Sequence, residues 1–405
     1  MLTRVGVPVE FVAEPSAPGS APTTLICFSH LRWDFVFQRP QHLMSRFARD
    51  MTVIYWEEPI EIGPHETAYL EVREAENCPN VRIAAPHLPE GMPGDAREAV
   101  LERLLEAHVA AIRGPIVAWY YTPMMVTFSR HLDVDLTVYD AMDELSKFKF
   151  APVQLLQLEQ ELIDKADVVF TGGTSLFEAK KDRHPNVHCF PSSVDRTHFI
   201  KARAHQFEPG DQEDLPRPRL GFYGVIDERF DTELLDKVAE MRPDWSFVML
   251  GPVVKISEND LPRRPNIHYL GGKSYGELPA YLSGWDVALM PFAMNESTEF
   301  ISPTKTPEYL AGGKPVVSTP IRDVVRHYGH LEGVQIAGDA ESFANACDAA
   351  LALARDPDSG WLAEADLLLS AASWDTTQAR MAGLIAELLG TGDAIATPAL
   401  LVAAE

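Results

Sequence analysis

No run of about 18 apolar residues occurs in this chain, so no segment is expected to cross a membrane as a helix. The opening residues, MLTRVGVPVEFVAEP, lack the apolar core of a secretory signal. Cysteine is scarce: Cys27, Cys78, Cys189 and Cys347 are scattered, with no CxxC pair. Reduced, mostly structural thiols in a cytoplasmic protein are the expectation. Positive charge is in deficit too. The 405 residues include 35 Lys and Arg against 59 Asp and Glu, a formal charge of −24. A phosphate backbone demands the opposite balance, which argues against nucleic acid as a partner. Broad attraction to anionic lipid is disfavoured for the same reason, leaving at most peripheral association at the inner face of the membrane through a local basic patch.

What is present is ordinary globular stock, 46% hydrophobic and 23% charged, and enough chain for two domains with full cores. Apolar runs alternate with helical stretches in two rounds. The first holds TTLICFSH, a helix from about Gln38 to Arg49, MTVIYWEEP, a polar stretch with VRIAAP and a helix from about Asp95 to Ile112. It continues with IVAWYYTP, DLTVYDAMD, a helix from about Val153 to Lys165, DVVFTGG, a helix over Thr174 to Lys181, and VHCFPSSVD. The polar, Pro-rich stretch from Lys201 to Arg219 reads as a connection. The second round holds LGFYGVID, SFVMLGP, IHYLGG and VALMPF with their helices, and ends in helices near 339–354, 358–371 and 375–389. Near-continuous apolar strands indicate parallel sheets covered on both faces. The expected architecture is α/β, two doubly wound Rossmann-like domains. Their bounds are 1–205, a linker over 206–218, 219–374, a terminal helix over 375–390 and a disordered tail over 391–405.

The most informative stretch is PFAMNESTEFISPTKTPEYLAGGKPVVST, from Pro291 to Thr319. Pro303 and Pro307 cannot both lie deep in a helix, so a helix starts between them, with Ser302, Thr304 or Thr306 as its cap. Free N–H groups there favour an anion by about 0.3–1 kcal/mol. Lys305 adds a cation, and Glu308, one helical turn on, offers an acceptor pair suited to the vicinal hydroxyls of a ribose. Lys and Glu so spaced also form plain surface ion pairs, but this helix lies between two apolar strands, at the strand-end crevice where α/β proteins bind ligands. GGKP lacks the spacing of a phosphate-binding P-loop, so Gly312 and Gly313 read as a helix end.

SPTKTPEYLAGGKPVVST resembles the nucleotide-binding segment of GT-B glycosyltransferases of the "group 1" type. SHLRWDFVFQRPQHL and GFYGVIDERFDTELL resemble one bacterial subgroup of them, and the similarity runs over roughly residues 23–385. The resemblance implies two domains facing across a cleft, with donor in the second and acceptor in the first, and a last helix that crosses back. It implies a nucleoside-diphosphate sugar, UDP- or GDP-linked, as donor, a glycan, lipid-linked or small-molecule acceptor, and no metal or other cofactor. It also implies ribose binding by Glu308. The family's usual second Glu, eight residues earlier, is here Phe300, with Glu299 nine back.

In the turn after the first strand of the second domain, Gly224 lets the backbone approach a ligand, Arg229 offers a forked cation to a diphosphate and Asp231 can cap the next helix. In the first domain, His30, Trp33, Arg39 and His42 follow the first strand, an aromatic and polar mixture suited to an acceptor sugar, though Trp33 can equally fill the floor of the domain. YDAMDE ends a buried strand; Asp143 there is the first candidate for the base that takes the acceptor proton, worth about 10²–10⁴-fold, and His30 the second. Asp140 and Asp143 could instead cap turns or pair with Lys147. Asp133-Val134-Asp135 matches a metal-binding DxD but precedes its strand. A nucleotide-sugar 2-epimerase on the same fold, and a non-catalytic nucleotide- or glycan-binding module, are the rival readings.

Overall fold

The computed structural model describes residues 22–76, 78–204 and 208–391. The apolar runs become two buried sheets. The first domain holds β1 (Thr24–Phe28), β2 (Thr52–Trp56), β3 (Ile60–Ile62), β4 (Tyr69–Ala75), β5 (Cys78–Pro89), β6 (Ile116–Tyr120), β7 (Leu136–Ala141), β8 (Val168–Thr171) and β9 (Val187–Cys189). Their order is β3-β5-β2-β1-β6-β7-β8-β9, with β4 paired to β5. Every pairing is parallel except β4 with β5. That hairpin, and the short β3, fill what the sequence offered only as a polar stretch with VRIAAP; the alternation in YLEVREA marks a half-exposed strand.

Side chains alternate across the first sheet, so consecutive residues of β1 enter different cores. Leu25 and Cys27 pack with Tyr55 and Trp119, whereas Ile26 and Phe28 pack with Trp56 and Tyr120. The first of these cores also holds Trp374, Met381 and Ile385, which belong to the helix Trp374–Leu388. The last described helix therefore leaves the second domain and covers the first. Asp375 at its start bonds Arg46 at 3.1 Å and Arg49 at 2.7 Å. The expected tail lies, from residue 392 on, outside the described residues.

The second domain holds β10 (Arg219–Tyr223), β11 (Ser246–Leu250), β12 (Ile267–Tyr269), β13 (Val287–Met290), β14 (Val316–Ser318) and β15 (Val334–Ile336). Their order is β12-β11-β10-β13-β14-β15, all parallel. In each sheet the strand order reverses beside the first strand, between β2 and β6 and between β11 and β13. Ligands of doubly wound sheets bind outside the carboxyl ends at such a reversal. The loop after β1 meets the second domain at Phe37 and Tyr275, the loop after β7 meets those after β10 and β11 at Phe148, and the one after β8 meets that after β14 at Thr174 and Asp323. Among the described residues, no helix is long and apolar enough to cross a membrane.

The two domains are tied across this meeting place. Gly173, after β8, begins the helix Thr174–Lys180 and supplies no side-chain cap. The cap comes from the other domain: Asp323 accepts from the Thr174 N–H at 2.8 Å, the Ser175 N–H at 3.0 Å and the Ser175 hydroxyl at 2.5 Å. Ser192 donates to the Ser302 carbonyl at 2.6 Å. A side chain at position 173 would collide with both, its Cβ lying 2.5 Å from Asp323 Oδ2 and 2.7 Å from Ser302 Cβ.

Candidate active site

The turn after β10 is shaped by close backbone packing. Gly224 (φ 137°) donates its N–H to the Leu250 carbonyl, and Gly251 (φ 139°) lies against Gly224 so closely that a Cβ would sit 1.8 Å from the Gly224 oxygen. A Cβ on Gly224 itself would fall 2.4 Å from Lys305 Cε and 2.8 Å from its Nζ. The φ of 137° itself calls for glycine, and the end of the lysine side chain passes directly over it. Lys305 Nζ also lies 5.7 and 5.8 Å from the rings of Phe222 and Phe292. Burial lowers the Lys305 pKa below the lysine value, and the neighbouring Arg229 cation lowers it further, while Glu308 opposes the shift.

Lys305 opens the helix Lys305–Ala311. The expected caps are absent: Thr304 has helical backbone angles and makes no side-chain cap, and the Thr306 hydroxyl turns to Met290 Sδ at 2.9 Å. Ser302 lies on the domain boundary, its carbonyl held by Ser192. Glu308 is buried, and its Oε2 accepts from the Tyr223 hydroxyl at 2.7 Å. Burial raises its pKa, which the Tyr223 hydrogen bond and the Lys305 charge pull back. Tyr223, a strand residue 85 positions from Glu308, carried no signal in the sequence that would single it out as this partner.

Arg229 is paired neither with Glu228 nor with Asp231. Its guanidinium grips Asp227, with Nε 3.0 and 3.1 Å from the two carboxylate oxygens and a second nitrogen 2.7 Å from Oδ2. It also stacks over Phe148 of the first domain at 5.2 Å. Asp231 does cap the following helix, accepting from Leu234 N–H at 2.8 Å. Lys255 (φ 63°), after β11, reaches the same Phe148 ring at 5.0 Å.

Opposite these cations stands Asp143, just past the end of β7. Burial raises its pKa to about 6; the Arg229 charge counters this first, Asp227 adds to it, and Arg39 and Lys305 counter it again. Arg229 and Lys305 act on Asp143 although 86 and 162 positions separate them from it, and Arg229 reaches the first domain at Phe148, five residues on from Asp143. The loop that carries Asp143 is anchored by its neighbour: Lys180 bridges Glu144 and Glu159, each at 2.7 Å, and Arg183 and Tyr139 complete the Glu159 shell. His30, after β1, is held neutral, its pKa lowered to about 4 by burial and then by the Lys255 charge. Its Nδ1 is buried without a partner.

Three expected acceptor contacts are corrected by their surroundings. Trp33 is buried edge-on against Tyr55 at 5.0 Å, and its backbone N–H donates to Glu57 at 2.7 Å. Arg39 is buried in a fork with Asp140 at 3.0 and 2.8 Å and donates to the Phe190 carbonyl at 2.8 Å. His42 stacks on Trp374 at 4.7 Å, within the packing of the returning helix. All three are buried within the fold, Arg39 with its guanidinium engaged and His42 with its Nε2 unpartnered. Asp140 is likewise Arg39's counter-ion. Among the described residues, the one grouping of carboxylate and imidazole atoms close enough for a metal is Glu102, Glu106 and His131, on the outer helix Gly94–Val109 and the loop after Val126–Ser129 and not in the cleft.

Known proteins resemble this chain in part of its sequence and in its fold. Residues 217–352 match the family model described as "Glycosyl transferases group 1". A curated relative, TuaH of Bacillus subtilis (strain 168), named for teichuronic acid biosynthesis as a glycosyltransferase, is 35% identical over 103 residues. That match spans 25% of this chain and 26% of the relative. Sucrose-phosphate synthase from Thermosynechococcus elongatus overlays 92% of this chain and 100% of its own, with a TM-score of 0.64 at 17% identity. The E. coli trehalose-6-phosphate structure bound with UDP-2-fluoro glucose overlays 90% and 99%, at 0.63 and 13%. Anabaena HepE in complex with UDP overlays 90% and 100%, at 0.59 and 12%. At such identities the overlays show the fold, which is GT-B.

Proposed function

We propose that the chain, residues 217–352 of which match the group 1 glycosyl transferases, moves a sugar from a nucleoside-diphosphate donor to a hydroxyl of a glycan, lipid-linked or small-molecule acceptor. The observation that carries this reading is the packing of Lys305 over the Gly224 turn and of Arg229 against Phe148 of the other domain, five residues from Asp143. In the transfer, the acceptor oxygen forms a bond to the anomeric carbon while the bond from that carbon to the diphosphate oxygen breaks, the electron pair leaving with the nucleotide. Asp143 takes the acceptor proton. Lys305, running over Gly224, and Arg229, aligned by Asp227, offset the charge that grows on the diphosphate, an interaction strengthened in a buried site. Glu308, oriented by Tyr223, holds the ribose. His30, neutral at pH 7, is an acceptor-side contact and a second candidate for the proton.

The reading assigns the leaving-group charge to side chains, with no metal, and places the enzyme in the cytoplasm. Bacterial polysaccharide or glycoconjugate synthesis is its setting, and UDP-sugars are the first donors to try, in keeping with the UDP ligands of the two overlaid proteins. The test is a thermal-shift screen of UDP- and GDP-sugars, followed by product analysis with an acceptor panel. A donor at 100 times its Kd is expected to add about 2.7 kcal/mol of stability, with transfer unchanged by EDTA. If no nucleotide sugar shifts the midpoint, or isotope exchange scrambles the donor sugar without an acceptor, transfer is the wrong assignment.

A further inference from the structure

The segment 145–158 differs from the rest of the surface. It contains Lys147 and Lys149 and no acidic residue, in a chain with a charge of −24. Phe150, Val153 and Leu156 are exposed at 77%, 95% and 61%. Phe150 holds a left-handed φ of 68°, uncommon for so bulky a residue, and Lys149 Nζ lies 5.2 Å from its ring centroid. The other aromatic ring of the segment behaves oppositely: Phe148 faces the cleft, under Arg229 and Lys255. One loop thus joins the cleft wall, a few residues from Asp143, to an apolar tip flanked by lysines.

We propose that this tip seats the chain on the headgroup layer of an anionic bilayer. Apolar side chains interleaved with lysine suit the boundary between headgroups and acyl chains, where the rings and branched groups leave water and the ammonium groups remain among the lipid anions. The rest of the acidic surface is repelled by the same layer, so the chain settles with this loop down. The lysines favour a lipid surface over an apolar protein face, and Phe150 and Val153 project from a Pro152-containing loop, with Leu156 in the first turn of the helix Leu155–Lys165, where a protein partner calls for a flat patch. Under the proposed function, the cleft mouth would then open beside an acceptor carried in the membrane. Binding itself does not depend on that reading.

The test is co-sedimentation of the full chain with vesicles of phosphatidylglycerol and phosphatidylcholine, and with phosphatidylcholine alone. Wild type is expected to bind the anionic vesicles preferentially at low salt. The triple variant Phe150→Ser, Val153→Ser, Leu156→Gln is expected to lower that partition by about tenfold, with an unchanged unfolding midpoint and unchanged nucleotide-sugar binding. Lys147→Gln with Lys149→Gln is expected to abolish the preference for anionic vesicles. Wild type that stays in the supernatant, or a triple variant that binds as wild type does, overturns the proposal. A triple variant that instead turns a dimer into a monomer, with no vesicle binding by wild type, assigns the patch to a second copy and overturns it as well. No turnover enters the assay, so failure here leaves the glycosyltransferase reading standing.

Discussion

Asp143 is where the chemistry and the stability of this chain pull in opposite directions. Its pKa of about 6 lies above the ordinary aspartate value, so the folded protein binds that proton more tightly than the unfolded chain. The sign follows: this group favours folding more as pH falls toward 5, and burdens it at pH 7 and above, where the carboxylate is charged. Asp143→Asn removes the burden and the base together. Its expected outcome is a transfer rate lower by about 10²-fold or more, donor affinity intact, and an unfolding midpoint at pH 8 equal to or above wild type. Near-normal transfer by Asp143→Asn, with turnover abolished in His30→Ala, would move the base to His30. For the free enzyme, kcat/KM is expected to fall below pH 6 as Asp143 protonates, and at alkaline pH as the lowered Lys305 loses its proton. At this scale the sequence was partly legible. Residue type and strand-end position singled out Asp143, Lys305, Glu308 and Arg229. It misassigned Trp33, Arg39 and His42, because the same rings and forks that bind sugars also build cores, and their consumers, Tyr55, Asp140 and Trp374, lie far away in the chain.

The turn from Gly224 to Asp231 shows what an element adds to its residues. Its backbone is fixed from below by Gly251, from the side by the Asp231 cap, and from above by Lys305. Gly224→Ala puts a Cβ where Lys305 Cε lies and forces alanine to a φ of 137°, a region L-residues rarely occupy. Lys305 is expected to be pushed from its place, lowering kcat/KM about tenfold or more with a smaller loss of thermal stability. Lys305→Ala then serves as the control: if the alanine at 224 acts by displacing the lysine, the double variant is no worse in rate than Lys305→Ala alone, which kinetics on the four proteins decides. The glycine was legible as a site of close approach; what approaches it was not, since Lys305 arrives from 81 positions away. Element type was read well in general because long buried strands and amphipathic helices announce their periods. The β4–β5 hairpin and the helix Arg322–Tyr328 escaped notice, being short, half-exposed or without a marked apolar stripe.

Under the proposed transfer the whole molecule functions only when its halves meet, since Asp143 belongs to one domain and Lys305 and Arg229 to the other. The two-domain GT-B frame was legible from strand alternation and from the resemblance together, but the tie that sets the meeting was not. Nothing near Thr174 in the chain signals that its helix is capped from 149 positions away by Asp323. Asp323 is 1% exposed and satisfies two N–H groups and a hydroxyl of the opposing domain. Its removal leaves those donors facing a buried gap, at about 1–3 kcal/mol for each unsatisfied group, unless the domains part and water reaches them. Asp323→Ala is therefore expected to loosen the pair of domains rather than to unfold either one. Small-angle scattering should give a larger radius of gyration than wild type, and kcat should fall several-fold while the affinity for the free nucleotide, which the proposal assigns to Lys305, Arg229 and Glu308 of the second domain, changes little. Ser175→Ala, which removes only the hydroxyl, should show the same pattern more weakly. Gly173→Ala should reproduce it from the other side, because its Cβ would wedge between Asp323 and Ser302. If Asp323→Ala and Gly173→Ala both keep the wild-type radius and kcat, the contact merely decorates a closure that other forces maintain, and the alignment of Asp143 with Lys305 and Arg229 must come from elsewhere in the boundary.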